Sequence, residues 1–199
     1  MSLKASNSSL VIDSLCDRAG GNDIVVVGLY CDFLAQQEQS TASMLGAILK
    51  QLVRGGGIPE HIREAFRKAK KEFGSRGLRL SDLVGLLQRT IAALEGVFIC
   101  IDALDEFAPK HRRELLESLR EIIQVSPNTR IFFSGRPYIE DEIMKCFSKV
   151  VVRIPVSPTQ EDIKSYLEMR LDGDTDPSAM DDELRADIMR IIPAKISEM

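Results

Sequence analysis

The sequence predicts a three-layer α/β fold on a mostly parallel sheet, followed by a small helical segment. Three observations carry that expectation. Val97 to Ile101 is a run of five consecutive apolar residues, which suits a strand buried on both faces, as parallel strands are. Ile24–Tyr30, Arg130–Ser134 and Val150–Ile154 are further short runs rich in β-branched or aromatic residues. Between successive runs lie segments of helical periodicity, the alternation that right-handed βαβ crossovers require.

The elements follow in order. Asn7-Ser8-Ser9 is an N-cap region, and Leu10, Val11, Ile12 and Leu15 give an apolar face for a helix over about Ser8–Arg18. Gly20-Gly21-Asn22-Asp23 breaks it before the strand Ile24–Tyr30. A helix from about Thr41 to Arg54 carries Met44, Leu45, Ile48, Leu49 and Leu52 on one stripe and stops at three glycines, Gly55–Gly57. Pro59 opens a charged helix to about Phe73, and Ser81 is the expected N-cap of another that buries Leu83, Val84, Leu86, Leu87, Ile91 and Leu94. An amphipathic helix and a Ser-Pro-Asn turn fill residues 107–128, and a turn at Gly135 and Pro137 closes the strand Arg130–Ser134. A short helix follows over about Tyr138–Cys146. Pro155 ends the expected strand Val150–Ile154, and Pro158 with acids in the first turn starts a helix to about Leu171. The last helix is expected over about Met180–Ile192.

At 199 residues, with 44% apolar and 28% charged residues, the chain can bury one good core or one core plus an appendage. A net charge of −4 argues against binding nucleic acid through phosphate neutralisation. Charge is unevenly spread: Glu60–Arg79 holds seven Lys or Arg against three acids, and Asp172–Asp187 seven acids against Arg185. The basic stretch has helical spacing and reads as a solvated helix face, with a binding patch as the alternative. Cys16, Cys31, Cys100 and Cys146 are widely separated, with neither metal-ligand nor disulfide spacing, so a reducing, cytoplasmic setting is expected. No apolar run approaches the ~20 residues that span a bilayer, and His61 and His111 sit in charged helical segments.

One stretch declares a chemistry. The apolar run 97–101 leads into Asp102-Ala103-Leu104-Asp105-Glu106, an acidic cluster at the carboxyl end of a strand, where open α/β sheets place ligands. Downstream, Ser134-Gly135-Arg136-Pro137 ends the next strand. The first motif resembles a Walker B motif, and more narrowly its NACHT form in the STAND class of signalling P-loop NTPases. The second resembles the Ser/Thr-x-Arg-Pro of the same family. Tyr30-Cys31-Asp32-Phe33 with Gln36–Thr41 is similar to the segment after the corresponding strand in fungal-type NACHT proteins. The resemblance runs from about Ser8 to Met199.

It implies a P-loop NTPase-like sheet that lacks its Walker A strand, over residues 1–157, then the start of a helical lid over 158–199. By resemblance Asp102 helps bind magnesium, Asp105 or Glu106 polarises the attacking water, and Arg136 senses the γ-phosphate. Alone, Arg136 would read as a solvated loop arginine. The glycine-rich phosphate loop G-x-x-x-x-G-K-[ST] is missing from the sequence. In relatives its lysine falls about nine residues before the Asp of a Ser-x-Val-Ile-Asp pattern. Ser9–Asp13 resembles that pattern, so the lysine position falls on Lys4, with Ala5 where a magnesium-binding hydroxyl belongs. An ordinary lysine in a frayed terminus is the alternative.

The expectation is therefore a truncated piece of a NACHT-type switch. The intact parent would use ATP or GTP with magnesium and self-associate through this domain. The piece itself would bind neither, and neither nucleic acid nor membrane. The other reading is a non-enzymatic scaffold of the same fold, its acids kept for structure. No G-x-S-x-G elbow or G-x-G-x-x-G turn supports a hydrolase or dehydrogenase. Lacking a central strand, the sheet is expected either to close by pairing Val150–Ile154 with Arg130–Ser134 or to recruit a second chain.

Overall fold

The computed structural model describes residues 3–19, 24–54, 57–73, 77–147, 151–173 and 180–196. They form two compact units, Met1–Val151 and Val152–Met199; the sequence places that division at 157/158. No helix among the described residues is long and apolar enough to cross a membrane.

The first unit is built on three parallel strands in the order β1-β2-β3: β1 Ile24–Tyr30, β2 Gly96–Asp102 and β3 Thr129–Phe133. The register pairs Gly28 with Cys100 and Tyr30 with Asp102 across β1 and β2, and Ile101 with Phe133 across β2 and β3. Helices α1 (Leu3–Ala19), α2 (Thr41–Leu52), α3 (Glu60–Phe73), α4 (Leu80–Ile91), α5 (Pro109–Val125) and α6 (Glu140–Phe147) accompany them.

Alternation along the strands makes three layers. Val27 and Leu29 of β1 and Val97, Ile99 and Ile101 of β2 enter a core with Leu45 and Ile48 of α2, Leu87 and Ile91 of α4, and Leu115 and Leu119 of α5. Each fully buried Leu or Ile here stabilises the fold by about 1.5–3 kcal/mol. Gly28 faces the opposite side, where α1 closes in: a Cβ on it would sit 3.2 Å from Ile12 Cδ1. β1 is an edge strand, and Gln51 covers part of that edge. Its Oε1 accepts the Gly28 N–H at 3.1 Å and its Nε2 donates to the Gly28 carbonyl at 3.0 Å.

Helix starts follow local chemistry. Ser40 and Ser43 cap α2 reciprocally, each backbone N–H donating to the other's hydroxyl. The expected N-cap Ser81 is corrected: α4 begins at Leu80, and the Asp82 carboxylate accepts the Arg79 N–H at 3.3 Å. The first helix begins at Leu3, earlier than Ser8.

The expected strand Val150–Ile154 is also corrected. Residues 151–159 form neither helix nor strand, and Val152, Ile154 and Val156 are 85%, 73% and 73% exposed; Val150 lies outside the described residues. The sheet thus has three strands among those residues, and the expected closure onto β3 does not occur. A strand satisfies its backbone only through a neighbour, and Pro155 and Pro158 remove two of the donors this segment could offer.

The second unit contains α7 (Gln160–Asp172) and α8 (Asp182–Ile196), which pack together. Thr159 and Asp162 close a reciprocal cap on α7: Asp162 N–H donates to Thr159 Oγ1 at 3.1 Å, and Thr159 N–H to Asp162 Oδ2 at 2.9 Å. α8 continues through Pro193 to Ile196, past the expected end at Ile192.

Candidate active site at the carboxyl end of the sheet

β2 delivers Asp102 to the carboxyl edge of the sheet, 5% exposed. Its carbonyl accepts the Cys31 N–H at 3.0 Å, which ties down the end of β1. Its carboxylate Oδ1 accepts the Ser134 hydroxyl. Ser134 Oγ in turn accepts the Ala103 N–H at 3.0 Å. The Ser134 backbone completes the latch, donating to Ile101 O at 3.0 Å and accepting from Leu104 N–H at 2.9 Å. Between these bonds Ala103 adopts φ 52°, the sole positive φ at a non-glycine among the described residues. Such a conformation costs about 1–2 kcal/mol for an L-residue, and the surrounding bonds hold it.

That left-handed step turns the chain into a short 3-10 turn, Leu104–Glu106, anchored by fully buried Leu104 and Phe107. Asp105 points inward: its side chain is 2% exposed, and its Oδ2 lies 3.4 Å from Nε of Arg136, whose own side chain is 65% exposed. Glycine at 135 makes room for the tip of the Ile139 side chain. A Cβ there would come within 2.6 Å of Ile139 Cδ1 and 3.4 Å of Asp105 Oδ1. Glu106 faces the loop after β1: its Oε2 accepts the Phe33 N–H at 3.3 Å, and its carbonyl accepts from Gln36 Nε2 at 2.6 Å.

Two residues clamp the turn from behind. Tyr138 donates its hydroxyl to Asp105 O at 3.1 Å. Buried Arg112 donates from Nη1 to Phe107 O at 2.9 Å and to Asp105 O at 3.4 Å, while its Nε pairs with Glu142 Oε2 at 2.8 Å. The acids gather around Cys31. Burial pushes that thiol up to about 12, and the negative charges of Asp102, Glu106 and Asp105 add to the effect. The thiol stays protonated and is no nucleophile at neutral pH.

The fold therefore brings Asp102, Asp105, Glu106 and Arg136 to one edge, with Asp105 and Arg136 in direct contact. Lys4 belongs to α1, and its side chain lies outside the described residues. No group of three or more His, Cys, Asp or Glu able to hold a metal is found among the described residues. Magnesium, however, typically takes one or two carboxylates and fills its octahedron with water and substrate phosphate. Asp102 at the strand end fits that lighter demand.

Sequence reasoning did not find Gln36, Arg112 or Tyr138. For Arg112 a signal existed: it precedes Leu115, Leu116 and Leu119 by three, four and seven positions, on the apolar face of α5. It is masked by its basic neighbours Lys110 and Arg113.

No curated protein matches the chain. Among solved structures, the Walker-type ATPase PABY2304 of Pyrococcus abyssi aligns over 92% of this chain at 10% identity and a TM-score of 0.41. The chain spans 63% of that protein's length, and a likeness so distant bears on no chemistry. The description "Nephrocystin 3, N-terminal" fits residues 4–136, from α1 through the acidic turn to Arg136 and two thirds of the whole, so the chain belongs to the nephrocystin 3 N-terminal family.

Proposed function

We propose that this chain carries the magnesium side and the phosphate sensor of a P-loop-type nucleotide switch, of the NACHT kind its motifs resemble. The observation that supports it is the convergence of Asp102, Asp105, Glu106 and Arg136 at the carboxyl ends of two neighbouring parallel strands. In that role Asp102 would help hold magnesium, the ion supplying charge neutralisation between phosphates. Asp105 or Glu106 would orient water, and Arg136 would read the γ-phosphate. Glu106 is the better placed of the two acids, since Asp105 is buried and engaged by Arg136. Self-association through this domain and coupling to other domains of the same protein belong to the same reading.

Manganese, a paramagnetic stand-in for magnesium, tests the metal side. In amide spectra of the 199-residue chain, Mn²⁺ should broaden Asp102, Ala103 and Ser134 selectively, and Asp102→Asn should remove that broadening. Equal, diffuse broadening in both proteins would sink the assignment.

The phosphate side is a separate matter. No G-x-x-x-x-G-K-[ST] loop occurs in the sequence, and the backbone N–H cradle that such a loop provides is what holds phosphates. Titration calorimetry with Mg-ATP should therefore give no binding near the micromolar range, roughly −8 kcal/mol. A micromolar constant would show a phosphate site built in some other way.

A specific observation favours a second reading, a scaffold without catalysis. Asp102 already accepts from Ser134, and Asp105 already pairs with Arg136. Loss of fold stability in Asp102→Asn with no manganese effect in either protein would select it.

A further inference from the structure

Helix α3 presents a surface that the proposed switch chemistry does not use. Ile62 and Phe66 stand four residues apart on one stripe of α3, and Ile58, just before the helix, lines the same hollow. Ile62 is buried, while Ile58 and Phe66 remain 52% and 50% exposed. Immediately beside that stripe, Arg63, Arg67 and Lys70 form a second one. Together the two stripes line an open hollow of about 690 Å³. Arg67 reaches Glu60, but no carboxylate among the described residues lies within ion-pair distance of Arg63 or Lys70. A half-exposed phenylalanine framed by such cations suits an amphipathic helix whose apolar stripe is edged with acids.

The same chain carries a helix of that description. In α8, Leu184, Ile188 and Ile191 recur at four and three residues, with Leu184 46% and Ile191 38% exposed. Glu183 and Asp187 occupy the positions directly before Leu184 and Ile188, on the adjoining stripe. Asp181 has a local task, since its Oδ1 caps the Leu184 N–H at 2.7 Å. Among the described residues Asp187 pairs with exposed Arg190, and an exposed pair of that kind exchanges partners readily. The charges are also matched in bulk. Glu60–Arg79 carries seven bases against three acids, and Asp172–Asp187 seven acids against one base.

We infer that the α3 hollow is a docking site for the α8 helix of a second copy of this chain. Phe66 and Ile58 would seat Leu184 and Ile191, and Arg63 and Lys70 would face Glu183 and Asp187. The contact joins two different patches, so two copies can satisfy both reciprocally, or successive copies can extend a chain. The acidic end of the sheet takes no part. The inference stands or falls independently of the manganese test.

Sedimentation velocity of the full chain across a hundredfold concentration range, at low salt and at ~0.5 M salt where the Debye length shrinks to a few ångströms, provides the test. Wild type should associate with rising concentration, at least tenfold more weakly in high salt. Arg63→Glu/Lys70→Glu and Glu183→Lys/Asp187→Lys should each be monomeric, and an equimolar mixture of the two should associate again, because each supplies the reversed half the other needs. Phe66→Ser should weaken association tenfold or more. Circular dichroism checks that each variant is folded. Glu183→Gln/Asp187→Asn gives a gentler second variant, expected to weaken association without abolishing it. A wild type that stays monomeric throughout overturns the proposal. Association that survives the charge reversals, or a mixture that fails to recover it, overturns it equally.

Discussion

In Met1–Val151 the apolar runs are enclosed: Val97, Ile99 and Ile101 of β2 are fully buried between β1, β3 and the helices above them. In Val152–Met199 the described residues bury only Ile163 and Pro193, and leave Val152, Ile154, Val156 and Met169 largely exposed. Composition does not separate the two, because Val-Val-Arg-Ile at 151–154 is as β-prone as much of β1. Geometry does. β2 has a neighbour on each side to complete its hydrogen bonds, and the 151–159 segment has none among the described residues. An apolar run is a strand only where another strand meets it.

The largest test of that contrast is a pair of substitutions. Phe107→Ala removes a fully buried ring from beneath the acidic turn and should cost about 3–5 kcal/mol in urea unfolding. Ile154→Ser, at 73% exposure, should change stability by no more than about 0.5 kcal/mol. A loss above about 2 kcal/mol at Ile154 would mean that this segment is covered in the folded protein, and the contrast would collapse.

Ion pairs should divide the same way. Arg112 is 8% exposed at its side chain, and it serves two carbonyls as well as Glu142. Arg112→Met leaves those acceptors unpaired and should destabilise by about 2–3 kcal/mol. Arg185, in the second unit, pairs with Asp172 at side-chain exposures of 37% and 68%. Arg185→Met should cost under about 1 kcal/mol. Thermal and urea unfolding of both variants compare them directly, and equal losses would refute the distinction.

A last pair of effects concerns pH, and the two run in opposite directions. Burial, reinforced by nearby carboxylates, holds the Cys31 thiol protonated to about 12, against an ordinary value of 9.0. The unfolded chain therefore releases that proton first. Stability is fully present below pH 9 and declines as pH rises through 9 to 12. Cys31→Ala should flatten that alkaline decline, and an unchanged slope would exclude Cys31 as its source. Asp162 is opposite in sign: hydrogen bonds from the Thr159 backbone and hydroxyl hold its carboxyl below the ordinary 3.8. Its contribution is present at neutral pH and lost on acidification, and Asp162→Asn should make the acid limb shallower.

What the sequence determined by itself is what local chemistry can complete. Helices satisfy their own backbone, so α2 and its buried stripe Met44, Leu45, Ile48, Leu49 and Leu52 were legible from spacing alone. β1 was legible too, Ile24 to Tyr30 matching residue for residue, because a run so apolar has few other places to go in a βαβ chain. Asp102, Asp105, Glu106 and Arg136 were legible as residue types at the ends of two strands. Only the tertiary structure decided their relations. Ser134 locks Asp102 because the register of β2 and β3 sets the two side by side. Asp105 turns inward because Ala103 takes a left-handed step that no propensity favours for alanine. Arg112, within the expected amphipathic helix but not singled out by its spacing, is buried because Glu142 and the carbonyls of Asp105 and Phe107 converge on it. Val152 and Ile154 stay exposed for the converse reason: a strand is completed by a partner distant in sequence, and no spacing within the run reveals whether that partner is there.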